Sequence, residues 1–285
     1  MSEKIKLKIV DTHFGHHGTI SFLGSKYIEW IHNFDVYPDD IIFFSDNCVK
    51  AIENVKCKGR IAILIEPEEV EKEAYEYIRN NHKYFHYIFT HDQQLIEQLA
   101  GKAFWFPPST TWIKNRGLHK KTHLMSMIAS IKNDTSGQKL RNEIVKKIPT
   151  RFIDIFGFGR KYDLKSKEGG LNPYMFSIVV ENTTSDDFFT EKILDAFATG
   201  TVPIYWGTKN IGKYFDEHGI IQFTTIDEVL DIINILTPMA YEDKRQAITN
   251  NWLRTERYLT STEDFLWEFY NPIFSKIHYN KIKEE

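Results

Sequence analysis

Short apolar runs recur along the chain, separated by stretches in which apolar residues return every three or four positions. The runs KIKLKIV (4–10), DIIFFSD (40–46), RIAILIE (60–66) and YIFTHD (87–92) have strand length and little alternation, the mark of strands covered on both faces. Between them SKYIEWIHN and PEEVEKEAYEYIRNN show helical spacing. The second carries Pro67 at a start position and acids where a helix dipole favours them. After KAFWFPPSTTWIKNRG, whose prolines and Gly117 interrupt the periodicity, a second series begins. It runs through HLMSMIAS, the helix GQKLRNEIVKKI, RFIDIFG, FSIVVEN, the helix TEKILDAFAT, the strand TVPIYW and GIIQF, and ends in helical patterns from IDEVLDIINIL onward. Strands alternating with helices predict a parallel α/β architecture. The break near 110–120 divides the chain into an amino-terminal Rossmann-like domain over 1–115 and a second over 116–260, facing a ligand cleft. A helical segment over 261–285 is expected to pack back on the first domain.

Composition narrows the picture. With 285 residues, 42% of them hydrophobic and 14% aromatic, the chain buries a sizeable core, and its length suits two domains. The 36 basic and 39 acidic residues leave a formal charge of -3, which provides no global field to gather nucleic acid or an anionic membrane. Any phosphate must be held locally. Cys48 and Cys57 are too few and too loosely spaced for a disulfide framework or a metal site of their own, so a reducing compartment is expected. MSEKIKLKIV lacks the apolar core of a signal peptide, and no run reaches the roughly 18 apolar residues of a membrane span. The expectation is a soluble, cytoplasmic protein. Oligomeric state leaves no mark in the sequence.

Candidate chemistry concentrates in ENTTSDDFFTEKILDAFATGTVPIYWG (181–207). Glu181 and Asn182 follow the apolar run FSIVV and so sit at a strand's carboxyl end, where open α/β sheets bind ligands. Thr190 suits a helix N-cap and Gly200 the C′ position, which puts Glu191 and Lys192 in the first turn. A cation there opposes the dipole, whereas an anionic ligand at the helix start suits both the dipole and the lysine. Spacing alone allows equally an ordinary strand, loop and helix with a solvated lysine.

The order EN, DDFFTEK, TGTVPIYWG resembles the α1,3/α1,4-fucosyltransferase family, and IASIKNDTSGQKLRNEIVKKI followed by RFIDIFG resembles the segment that precedes it there. The likeness covers residues 123–225 well and the amino-terminal half faintly. It implies a GT-B fold of two Rossmann-like domains and inverting transfer of fucose from GDP-fucose to a glycan hydroxyl, with an α1,3 linkage to GlcNAc or glucose. By the same likeness Arg141 and Lys192 match the cations on the pyrophosphate, Glu191 the acid on the ribose, and Asn182 an amide contacting the donor. Glu181 and Thr190 fall within the same motif. Phe188 stands where many relatives carry tyrosine, which puts a hydroxyl contact, and with it donor identity, in doubt. Arg141 also reads as a residue covering a helix face, and Glu191 as one that merely favours a helix start.

Inverting transfer needs a base on the face opposite the departing GDP. In the family this is a Glu at the end of an amino-domain strand, often before Pro, and RIAILIEPEEV offers Glu66. Glu68 and Glu69 are rivals with a sufficient explanation as dipole-favoured residues of the helix start. DTHFGHHG brings His13, His16 and His17 together after the first strand. These histidines read as a polar loop, as an acceptor-lining loop in which His13 and His16 contact the sugar, or as a metal site. Cationic clamps on a pyrophosphate make a metal unnecessary, so none is expected, nor any cofactor beyond the GDP-sugar substrate. A transferase of this fold using another nucleotide-sugar, and a non-catalytic sugar-nucleotide or glycan-binding protein, are the alternatives.

Overall fold

The computed structural model describes residues 4–12, 20, 24–107, 109–149, 151, 153–157 and 165–279. The chain divides into two compact units, one formed by the residues up to Thr110 together with those from Thr260 on, the other by Thr111–Leu259.

In the first unit β1 (Ile5–Val10), β2 (Ile28–Ile31), β3 (Ile41–Ser45), β4 (Gly59–Leu64), β5 (Tyr87–Thr90) and β6 (Ala103–Trp105) form a parallel sheet in the order β2-β1-β3-β4-β5-β6. Helices α1 (Lys72–Asn81) and α2 (Gln93–Gln98) connect its later strands. Side chains alternate between two cores. Ile42, Phe44, Ala62, Leu64 and Ile88 pack with Ala74, Tyr75 and Ile78 of α1 on one face, and Ile9, Phe43, Ile61, Ile63 and Phe89 pack together on the other. Because both faces are buried, these strands read as continuous apolar runs.

Two readings of this unit are corrected. SKYIEWIHN contains the strand β2 rather than a helix, parallel to β1 with Ile5 opposite Ile28. Ile28 and Trp30 are buried and Glu29 between them is exposed, a period of two that edge pairing selects over the equally available helical spacing in so short a segment. The helix attributed to PEEVEKEAYEYIRNN begins only at Lys72. Pro67 instead opens a separate turn, its carbonyl accepting from the N–H groups of Val70 and Glu71, so Glu68 and Glu69 precede the helix.

The second unit is a smaller parallel sheet, in the order β11-β10-β9-β7-β8. In sequence it comprises β7 (His123–Ile128), α3 (Ser136–Lys147), β8 (Asp154–Phe156), α4 (Glu168–Leu171), β9 (Tyr174–Val180), α5 (Glu191–Ala198), β10 (Val202–Trp206), β11 (Ile221–Gln222), α6 (Ile226–Ile235), α7 (Pro238–Glu242) and α8 (Arg245–Arg254). Ile144 of α3 and Val229 and Ile233 of α6 cover Met127, Ile178, Val180 and Ile204 on one side. Ile193, Leu194 and Phe197 of α5 cover Val179 and Tyr205 on the other. Gly200, with φ +70°, takes the left-handed conformation that terminates α5.

The last helix, α9 (Thr262–Tyr279), belongs to the first unit. Asp264 accepts from Ser25 Oγ at 2.5 Å and from the N–H of Lys26 at 2.8 Å, and Tyr270 donates to the carbonyl of Trp105 at 2.6 Å. It thereby caps the approach to β2 and closes over β6.

Candidate functional site

The carboxyl end of β9 meets the amino-terminal turns of α3 and α5. α3 starts with a capping box between Thr135 and Gln138. Its second residue, Gly137, donates to the carbonyl of Asn182 at 2.9 Å. A β-carbon on Gly137 would lie 1.8 Å from the carbonyl oxygen of Glu181, so only glycine permits this approach. One turn later Arg141 points at the strand end and its NH2 donates to Asn182 Oδ1 at 2.6 Å. Arg141 is 7% exposed, and its Nε is buried without a hydrogen-bond partner among the described residues. Burial lowers the guanidinium pKa against the pull of Glu181 and Glu191, and it remains a cation.

Thr190 caps α5. Its N–H and Oγ1 both donate to the fully buried Glu181, at 3.0 and 2.6 Å, and Oγ1 accepts from Lys192 Nζ at 2.9 Å. Lys192 therefore folds back over the helix start, 3.6 Å from Glu181 Oε2 and 3.4 Å from Glu191 Oε1. These two carboxylates offset the unfavourable placement of a lysine in the first turn.

A cavity of about 420 Å³ opens here, within the second unit. Its ionisable lining comprises Lys132, Arg141, Lys167 and Lys192 against Glu191 and Asp195, an excess of positive charge on walls otherwise largely apolar. Burial pushes the Glu191 pKa up, but Lys192 and Lys167 outweigh it and hold the carboxyl ionised, well below its usual range. Lys167 is likewise depressed by burial and more than restored by Glu191 and Asp195, to which its Nζ lies at 3.3 and 2.8 Å.

Of the residues expected to bind a donor, Arg141, Asn182, Glu191 and Lys192 line this cavity. Glu181, Phe188 and Thr190 stand off its wall. Glu181 and Thr190 hold Lys192 in place, and Phe188 is only 2% exposed, its ring buried in the protein. Trp112, Lys167 and Asp195 belong to the lining and escaped the sequence reading. Asp195 left a signal, being a carboxylate one turn beyond Glu191 on a helix otherwise buried through apolar residues.

Glu66 lies in the first unit, two residues past β4. Asp46 Oδ1 accepts from the N–H groups of Ile65 and Glu66 at 2.8 and 3.2 Å, and Tyr75 donates to the Glu66 carbonyl at 3.1 Å. The backbone of Glu66 is thus fixed and its side chain half-buried. Its rival Glu68 is engaged through both oxygens by Arg79 at 2.6 Å, and that hydrogen bonding lowers its pKa. His13, His16 and His17 lie outside the described residues. Among the described residues no group of three or more His, Cys, Asp or Glu is placed to hold a metal ion, and no helix is long and apolar enough to cross a membrane.

Residues 118–271 match the model of glycosyltransferase family 10 (fucosyltransferase), carboxyl-terminal part. An alpha-(1,3)-fucosyltransferase of Helicobacter pylori is 37% identical over 78 residues, 26% of this chain and 16% of that protein. An alpha-(1,4)-fucosyltransferase of Arabidopsis thaliana is 29% identical over 94 residues, 30% of this chain and 23% of that protein. The matched part is thus less than a quarter of either relative's length. A solved alpha1,3-fucosyltransferase with GDP-fucose superposes with a TM-score of 0.60 at 19% identity, over 96% of this chain and 90% of that one. Structural likeness at this identity establishes the fold, which is that of the GT-B glycosyltransferases.

Proposed function

Since the chain belongs to glycosyltransferase family 10 (fucosyltransferase), we propose that it transfers fucose from GDP-fucose, with inversion, to a hydroxyl of a glycan acceptor. The linkage we propose is α1,3, to a GlcNAc or glucose unit. The observation that carries this reading is the buried Arg141, its Nε without a partner, on the wall of a cavity that also presents Lys192 and the ionised Glu191. A buried guanidinium with an unsatisfied N–H is costly, and a diphosphate supplies the acceptor it lacks.

In this reading Arg141 and Lys192 hold the two phosphates and stabilise the charge that develops on GDP as the sugar–phosphate bond breaks. Glu191, an acceptor only, takes hydrogen bonds from the ribose hydroxyls. Asn182 is fixed by Arg141 and presents its remaining amide N–H groups to the donor. Glu66, at the end of β4, accepts the proton of the acceptor hydroxyl as the oxygen attacks the anomeric carbon. Cationic side chains neutralise the phosphates, so no metal is required, and transfer is expected to survive EDTA. Lost activity restored by Mn²⁺ would overturn that part.

A thermal-shift panel of GDP, UDP, CMP and ADP, followed by a transfer assay with GDP-fucose, tests the donor. GDP alone is expected to stabilise the protein, by about 2.7 kcal/mol at 100 times its Kd. A larger shift with UDP would remove the GDP-sugar reading.

A further inference from the structure

The strand order of the second unit reverses between β7 and β9. From β7 the chain steps to β8 on one side, and the later strands β9, β10 and β11 build outward on the other. Open α/β sheets take ligands in the crevice outside the carboxyl ends of two such strands. The cavity draws on both sides of that crevice. Asn182, Glu191, Lys192 and Asp195 line it from β9 and α5, and Lys132, Gln138 and Arg141 line it from the β7–α3 connection and α3.

Counted by formal charge, most of the ionisable groups here cancel. Lys192 lies 3.6 Å from Glu181 and 3.4 Å from Glu191, and Lys167 lies 3.3 Å from Glu191 and 2.8 Å from Asp195. Arg141 feels the pull of Glu181 and Glu191. Three cations, Arg141, Lys167 and Lys192, therefore face three carboxylates, Glu181, Glu191 and Asp195. The excess positive charge is Lys132. It is exposed where it lines the cavity, and among the described residues its Nζ has no hydrogen-bond or ion-pair partner.

The backbone of Lys132, by contrast, is braced. Its N–H donates to Ser130 Oγ at 3.4 Å, and its carbonyl accepts from Asn142 Nδ2 at 2.8 Å, a group that also reaches Asn133 Oδ1 at 3.2 Å. Gln138 Oε1 accepts from the N–H of Asp134 at 2.7 Å. Asn142 and Gln138 both belong to α3 and flank Arg141 in sequence. One helix thus carries Arg141 and holds in place the loop that carries Lys132.

Resting on the GDP-sugar reading of this cavity, we infer that Lys132 is a further donor-binding residue, which pairs with the diphosphate alongside Arg141. The carboxylates around Lys192 and Lys167 offset those two lysines, and Lys132 supplies the charge that a diphosphate neutralises. Because it is exposed, its contribution is screened by salt.

Isothermal titration of the whole chain and of Lys132→Gln, Lys132→Arg and Lys139→Gln, each with GDP and with inorganic pyrophosphate at low and at high salt, tests this. Lys139 is exposed on α3 and does not line the cavity, so its substitution reports the loss of a charge without the loss of a contact. Lys132→Gln is expected to weaken both ligands by the same factor, about three- to tenfold at low salt and less at high salt, between the ranges for exposed ion pairs and for charge-assisted hydrogen bonds. Lys132→Arg should retain most of the affinity, and Lys139→Gln should stay within about twofold of wild type. Undiminished binding by Lys132→Gln overturns this inference alone. So does an equal loss in Lys139→Gln, which would make the effect one of net charge. A loss for GDP without one for pyrophosphate overturns it as well, because Lys132 would then act on the nucleoside. Failure of the wild-type protein to bind GDP removes the donor assignment and this inference together.

Discussion

Glu181 and Glu66 occupy corresponding places, each just past the end of a central parallel strand in its own unit, yet their surroundings differ. Glu181 is fully buried and both its oxygens are taken by Thr190. It is spent on joining β9 to α5 and on anchoring Lys192. At Glu66, Asp46 and Tyr75 hold the backbone, and the residue is half-buried. Asp46 adopts a left-handed conformation, φ +40°, to make that grip, a strain tolerated where the surroundings impose it. A strand-end carboxylate is therefore not by position a ligand or a base.

The sharpest way to break this contrast is Glu66→Gln. An amide keeps the shape and cannot accept the proton, so transfer from GDP-fucose should fall by about 10² to 10⁴ while GDP affinity stays nearly constant. Transfer close to the wild-type rate would show that another group is the base. Lys192→Ala addresses what Glu181 holds. GDP affinity by titration calorimetry is expected to drop roughly ten- to hundredfold, since charge-assisted hydrogen bonds contribute about 1.5 to 3 kcal/mol and each 1.4 kcal/mol is tenfold. An unchanged Kd would take Lys192 out of the site. Glu181→Gln should act on the fold instead, lowering unfolding free energy in urea by about 1 to 3 kcal/mol through loss of a buried charged acceptor. If that substitution leaves the urea midpoint where it was, the architectural role assigned to Glu181 is wrong.

The smallest effect concerns a second lysine, at the other end of α5. Among the described residues Lys121 Nζ has no carboxylate partner. It donates to the carbonyls of Leu171, Asn172 and Thr199 and to Thr201 Oγ1, at 3.3, 3.0, 2.8 and 2.9 Å. Burial pushes its pKa down to about 7 from 10.5. Between those values the unfolded chain binds a proton that the folded one does not, so this group's contribution to stability rises with pH. The stability difference between wild type and Lys121→Met should grow from pH 7 to pH 9, with a slope of up to about 1.4 kcal/mol per pH unit. Urea titrations at several pH values measure it, and a flat or falling difference would contradict the assignment.

Much of the second unit was legible because its signals are local. Thr190 and Gly200 mark the ends of α5 by their own conformational chemistry, and FSIVV announces a strand buried on both faces. Arg141, Asn182, Glu191 and Lys192 follow from a motif contained in neighbouring turns. Trp112 and Lys167 were not legible, because they join Asp195 from 83 and 28 positions away and no spacing rule links such segments. Phe188 was placed near the donor by the motif, but the fold turns its ring inward. In the first unit, SKYIEWIHN failed because four residues fit either period, and only the edge of β1 decides between them.

Gly137 has a consequence for how the cavity is dimensioned. With a β-carbon excluded 1.8 Å from the Glu181 carbonyl, α3 and the end of β9 touch backbone to backbone, and no side chain acts as a spacer between them. The width of the anion end of the cavity is therefore gauged by a missing atom. Any side chain at position 137 would act as a shim, backing α3 away from the strand and carrying Arg141, one turn along, out of reach of Asn182. The calibration of this end of the site is written in the main chain, so the amino acid that contributes least to the surface sets the tolerance of the whole.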